Sequence, residues 1–220
     1  VRIPFSESAS RKRLAAWSLA AAAGVMLAAY GAQRLLSAHD HPAPSLAALD
    51  QSLVKVEGSK ALQNVSLVGM DGSPLTQSAL QGRWSLVFFG FTSCPDVCPA
   101  TLQTLSTVAA NPASGVLDGS TQLLFVSIDP QRDTPERMRQ YLGNFDARIK
   151  GATGTEDALA VFSAQAGAGF SATAAGFDHS TSLFVFDPEA RLAGVLLNPS
   201  NVARIVADLD TLRQSRGLYR

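Results

Sequence analysis

The sequence predicts an α/β sandwich, and three observations carry that prediction. Two nearly continuous apolar runs, residues 84–91 (WSLVFFGF) and 122–128 (QLLFVSI), read as central strands buried on both faces. Apolar residues at helical spacing follow each run, as in strands linked by helical crossovers. Cys94 and Cys98, the only cysteines among 220 residues, stand just after the first run. Open α/β sheets place their functional groups there, beyond the C-terminal ends of the strands.

The elements follow in order. Residues 65–68 read as a short strand closed by the Asp71-Gly72 turn signal. After the cysteines, Leu102, Leu105 and Val108 mark one face of a helix. Asp133 or Thr134 can cap the next helix, with Pro135 at its first position, running to Leu142. A short segment near Ile149 precedes Thr155, which suits the cap of a helix from Glu156 to about Gln165. Residues 182–186 form a strand, 187–190 a turn and 192–197 its hairpin partner. Val202, Ile205, Val206, Leu209 and Leu212 line a closing helix. Strand, helix, strand, helix, short helix, hairpin, helix is the order of a thioredoxin-like α/β sandwich with an N-terminal extension and one inserted helix.

The N-terminus points to export. Arg11-Lys12-Arg13 precedes residues 14–32, which carry no charge and just suffice to span a bilayer core. The basic cluster in front leaves residues 1–13 in the cytoplasm and sends the remainder across. The expectation is a single transmembrane signal anchor, with cleavage near Ala29 and Gly31 as its alternative, in a bacterial inner membrane facing the periplasm. Residues 33–60, with Pro42 and Pro44 among polar residues, read as a tether to a globular domain over 61–220. His39 and His41 belong to that solvated tether. Lys plus Arg and Asp plus Glu number 18 each, so nothing resembles the basic stripe that nucleic acid demands.

Two cysteines are too few for a disulfide scaffold, and their close spacing suits redox or metal chemistry better than a staple. Pro99 fits the first position of the following helix, which makes Cys98 the N-cap and leaves Cys94 in the loop before Pro95. Both sulfurs would then face a helix N-terminus, which favours thiolate. Two thiolates suit Cu(I), and a nitrogen ligand would also admit Cu(II). Of three histidines, His179, just before a core strand, is better placed to reach the cysteine loop than His39 or His41. Asp178 could orient it, or serve a local turn. Asp129-Pro130 and Asp133-Thr134-Pro135 read as structural, ending a strand and starting a helix.

Residues 89–99 (FGFTSCPDVCP) resemble the signature of the Sco/SenC family of copper-binding assembly factors for cytochrome c oxidase. Residues 126–135 (VSIDPQRDTP) resemble that family's second motif, and Thr153-Gly154-Thr155 and Asp178-His179-Ser180 the third and fourth, in the same order. The resemblance covers roughly residues 60–215. It implies a thioredoxin-like fold and copper held by Cys94, Cys98 and His179. It also implies delivery of that copper to a cytochrome c oxidase subunit. An oxidising compartment would tend to close the cysteine pair, so a thioredoxin-like reductant is an implied partner. The rival expectation is a thiol–disulfide oxidoreductase that reduces the cysteines of the oxidase copper site. A peroxidase of the same fold is a weaker third, because the CxxxC pair and the Asp-His-Ser motif have no role in peroxide reduction.

Overall fold

The structure is a computed structural model that describes residues 53–173, 176–179 and 181–217, with backbone alone for residues 170–173 and 176–179. Its strands are β1 (Leu53–Lys55), β2 (Ser66–Gly69), β3 (Pro74–Thr76), β4 (Trp84–Gly90), β5 (Thr121–Ser127), β6 (Ile149–Thr153), β7 (Phe170–Thr173), β8 (Gly176–His179), β9 (Leu183–Phe186) and β10 (Leu192–Leu196). The helices are α1 (Val97–Ala110), α2 (Pro135–Leu142), α3 (Glu156–Ala166) and α4 (Val202–Ser215). Eight strands form one mixed sheet in the order β1-β10-β9-β4-β5-β6-β2-β3, while β7 and β8 pair with each other.

The run of residues 84–91 becomes β4, buried along its whole length. It pairs in parallel with β5, from Trp84 opposite Thr121 to Gly90 opposite Ser127, and β5 pairs in parallel with β6. Parallel neighbours need a crossover, and α1 and α2 supply the two crossovers here. Because side chains alternate across a strand, β4 feeds two cores. Trp84, Leu86 and Phe88 meet Leu102, Leu105, Leu209 and Leu212 of α1 and α4 on one face. Val87 and Phe89 meet Leu159 and Phe162 of α3 on the other. The Phe89 ring lies 5.5 Å from Phe162 and 5.4 Å from Phe184.

Helix starts follow local chemistry. Thr134 accepts a hydrogen bond from Arg137 N–H and Thr155 one from Ala158 N–H, so both are N-caps as the sequence suggests. Asn201 caps α4 in the same way through Arg204 N–H.

Three departures from the sequence reading concern short or weakly patterned segments. Part of the expected tether joins the sheet: β1 pairs antiparallel with β10. Backbone pairing to β10 provides that stability, which apolar periodicity does not announce. β3 adds a sheet edge beyond the Asp71-Gly72 turn, closing a hairpin with β2. β7 and β8 form a hairpin in an Ala- and Gly-rich stretch without strand patterning. The expected anchor over 14–32, the cytoplasmic residues 1–13 and the tether histidines His39 and His41 lie outside the described residues. Among the described residues no helix is long and apolar enough to cross a membrane.

A buried carboxylate ties the far end of the domain together. Asp187, fully buried in the β9–β10 turn, accepts hydrogen bonds from Glu189 N–H and Arg191 N–H and pairs with Arg191 at 3.0 Å and Arg216 at 3.1 Å. Arg216 also donates to Val56 O at 3.2 Å, which joins α4 to the N-terminal extension. Removing a charged acceptor from such a cluster costs about 2–3 kcal/mol. Asp187→Ala should lower the urea unfolding free energy by that amount, and Asp187→Asn, which keeps part of the bonding, by less.

Candidate metal centre

The site sits where β4 and β5 end. Gly90 closes β4, and a Cβ there would lie 2.8 Å from both Cys98 Sγ and the Phe125 ring edge. A glycine is therefore required for the Cys98 sulfur to rest against the strand end. The chain then turns: Cys94 N–H donates to Phe91 O at 3.2 Å, and α1 begins at Val97 with Asp96 as its N-cap.

That start corrects the helix boundary read from the sequence. Cys98 is the second helical residue rather than the N-cap, and Pro99 is the third rather than the first. A proline is tolerated anywhere in the first turn, since the N–H it lacks has no intrahelical acceptor there. Cys94 lies in the loop, as expected, and its Sγ accepts from Cys98 N–H at 3.4 Å. The helix N-terminus thus points a donor at the Cys94 sulfur.

The two thiols occupy opposite environments. Both are reduced, Cys94 partly exposed and Cys98 fully buried. Burial pushes the Cys98 thiol far above its ordinary value. A backbone hydrogen bond from Phe91 opposes the shift, and contact with the Cys94 side chain adds to it. The expectation that the helix N-terminus lowers both pKa values therefore fails at Cys98, where loss of water outweighs the dipole. Cys94 packs against both hydrophobic cores yet keeps a face to solvent, so it is the sulfur that solvent reaches.

Asp133 holds the cysteine loop. Its carboxylate, fully buried, accepts from Thr92 N–H at 2.7 Å, Thr92 Oγ1 at 2.6 Å and Ser127 Oγ at 2.6 Å. Arg137 completes the group, donating to Thr92 Oγ1 at 2.8 Å and lying 3.7 Å from Asp133 Oδ1. The sequence suggests only a helix-capping role for Asp133, which Thr134 takes instead. No local pattern reveals a partner 41 residues away. The sequence likewise places Tyr141 only within the helix that becomes α2. Its ring packs 6.1 Å from Phe125 and 5.5 Å from Phe145.

His179 is the last residue of β8, with its backbone opposite Phe170, and its side chain lies outside the described residues. Its position along the chain is informative nonetheless. It precedes β9 by four residues, and β9 begins with Leu183 opposite Phe88, near the C-terminal end of β4. The chain therefore leaves His179 and enters the sheet at the edge that carries the cysteines. Among the described residues no third His, Cys, Asp or Glu joins the two sulfurs.

A family model described as SCO1/SenC matches residues 55–214. The chain belongs to the SCO1/SenC family. A protein of Stutzerimonas stutzeri is 34% identical over 163 residues, covering 70% of this chain and 78% of that relative. Mitochondrial SCO2 of Saccharomyces cerevisiae is 39% identical over 105 residues, covering 46% of this chain and 33% of the relative, so the match spans about a third of that longer protein. The crystal structure of yeast Sco1 with copper bound superposes with a TM-score of 0.61 at 29% identity, covering 69% of this chain and 88% of that one. The thioredoxin-like fold expected from the order of elements is thus the Sco fold.

Two expectations follow from the site. Iodoacetamide at neutral pH should alkylate Cys94 in the folded, reduced protein far faster than Cys98, with the difference vanishing in denaturant; peptide mass spectrometry reads the order. Asp133→Ala leaves the buried Ser127 hydroxyl and the half-buried Thr92 hydroxyl and amide without their acceptor. It should destabilise the fold by about 3 kcal/mol in urea and speed alkylation of Cys98, because the loop above it loosens.

Proposed function

We propose that this protein is a membrane-anchored, extracytoplasmic copper chaperone that binds copper through Cys94, Cys98 and His179 and delivers it to a cytochrome c oxidase subunit during assembly. The observation that carries the reading is the cysteine pair at the β4–α1 junction of a Sco-family domain, one sulfur accepting a hydrogen bond from the helix N-terminus at 3.4 Å and the other buried beside it. The donor set fits copper, since two soft sulfurs in mutual contact suit Cu(I) and one imidazole extends the set toward Cu(II). A relative of 29% identity, yeast Sco1, binds copper in its crystal structure.

The cargo enters and leaves at Cys94. A buried Cys98 cannot meet a partner thiolate directly, so ligand exchange starts at the exposed sulfur and ends at the covered one. The uncharged segment 14–32 would anchor the domain on the periplasmic face of a bacterial inner membrane, within reach of an oxidase subunit. A thioredoxin-like reductant would keep the pair open.

The same asymmetry favours a second reading, thiol–disulfide exchange with the cysteines of the oxidase copper site. There Cys94 forms the mixed disulfide and Cys98 resolves it, losing its proton as the new S–S bond forms and the partner thiolate leaves.

Copper titration of the reduced protein separates the two. One copper per chain is expected, abolished by Cys94→Ser and by Cys98→Ser and markedly weakened in His179→Ala. Binding that survives either cysteine substitution rules out this site. Unchanged affinity in His179→Ala would leave a two-sulfur site and favour the oxidoreductase.

A further inference from the structure

Tyr141 carries a hydroxyl whose oxygen is buried and has no hydrogen-bond partner among the described residues. Buried hydroxyls are normally paired, and one left unpaired points to a role in another state of the molecule. Tyr141 as a residue is half-buried, while its hydroxyl oxygen is fully buried. Its surroundings are specific. The ring tilts against Phe125, whose edge converges with Cys98 Sγ on the same point beside Gly90. Tyr141 and Cys94 both pack against the core cluster that contains Cys98. A phenol is protonated at neutral pH and can donate.

We infer that Tyr141 is a positioning residue of the cysteine site, its hydroxyl donating a hydrogen bond to the Cys98 sulfur when that sulfur is a thiolate ligand. In this structure, with both cysteines reduced, the phenol hydroxyl is unpaired among the described residues. In the thiolate state the buried charge has lost its water, and Tyr141 is the side-chain donor already placed on its side of the core. The Phe125–Tyr141–Phe145 cluster holds the ring against the core that contains Cys98. Donors to ligand atoms fix their orientation and tune their basicity, and their loss costs metal affinity without removing a ligand. The inference rests on the copper reading above.

The test uses the whole reduced chain, with Cu(I) supplied from a chromophoric chelator and Cu(II) added separately for spectroscopy. Tyr141→Phe removes only the unpaired hydroxyl, so the copper-free protein should melt at the wild-type temperature or slightly above it. Its Cu(I) affinity should fall about 10- to 100-fold. The sulfur-to-Cu(II) charge-transfer band should move to longer wavelength, because a sulfur that loses a donor gives up its electrons more easily. Phe145→Leu, which loosens the aromatic cluster without touching the hydroxyl, should leave that band in place. Affinity within about twofold of wild type and an unmoved band in Tyr141→Phe would overturn the inference, as would an equal band shift in Phe145→Leu. A wild-type chain that takes up no copper at all would overturn the copper reading itself, and this inference with it.

Discussion

The carboxylate of Asp133 joins two loops that leave the sheet at the same edge. Parallel pairing of β4 with β5 brings Gly90 beside Ser127, so the segments that follow emerge side by side. Nothing in the pairing says how they should be held once they leave the sheet. Asp133 does that with three hydrogen bonds from Thr92 and Ser127, and it is buried while doing so. A buried carboxylate is tolerated when its lone pairs are occupied and a cation stands by, here Arg137. The position of Thr92, two residues before Cys94, and hence the path of the cysteine loop, depends on this cluster.

From that anchor the two sulfurs acquire different roles. Cys98 is placed by α1, whose buried face continues through Leu102 and Leu105 into the core, and by Gly90, which leaves room for its sulfur. Cys94 is placed by a loop and by the N–H of Cys98. One thiol is therefore as rigid as the core and shielded from water, and the other is as accessible as the loop. A site that must both retain a soft ion and pass it on has use for this division. The same division suits thiol exchange, which also needs one attacking and one protected sulfur.

Most of the fold was legible in the sequence where physical signals are strong. Long apolar runs specified β4 and β5, and Thr-Pro and Thr-Glu starts specified α2 and α3 to within a residue or two. Short edge strands were not legible. β1 and β3 have three residues each, with too few side chains to show alternation, and they exist because a neighbouring strand offers backbone partners. The β7–β8 hairpin has the same cause, since Ala and Gly carry little strand preference of their own. The start of α1 was misplaced by two residues because proline is compatible with every position of a first helical turn.

By itself the sequence singled out the candidate ligands, Cys94, Cys98 and His179, and determined that the cysteines follow a central strand. Those are matters of residue type and of periodicity along the chain. Only the tertiary structure decided the state of each thiol, because burial depends on what packs over a residue rather than on its neighbours in sequence. It reversed the expected effect of the helix N-terminus at Cys98, where desolvation overcomes the pull of the dipole. It also disclosed Asp133 and Tyr141, whose partners come from elements remote in sequence and carry no local signature.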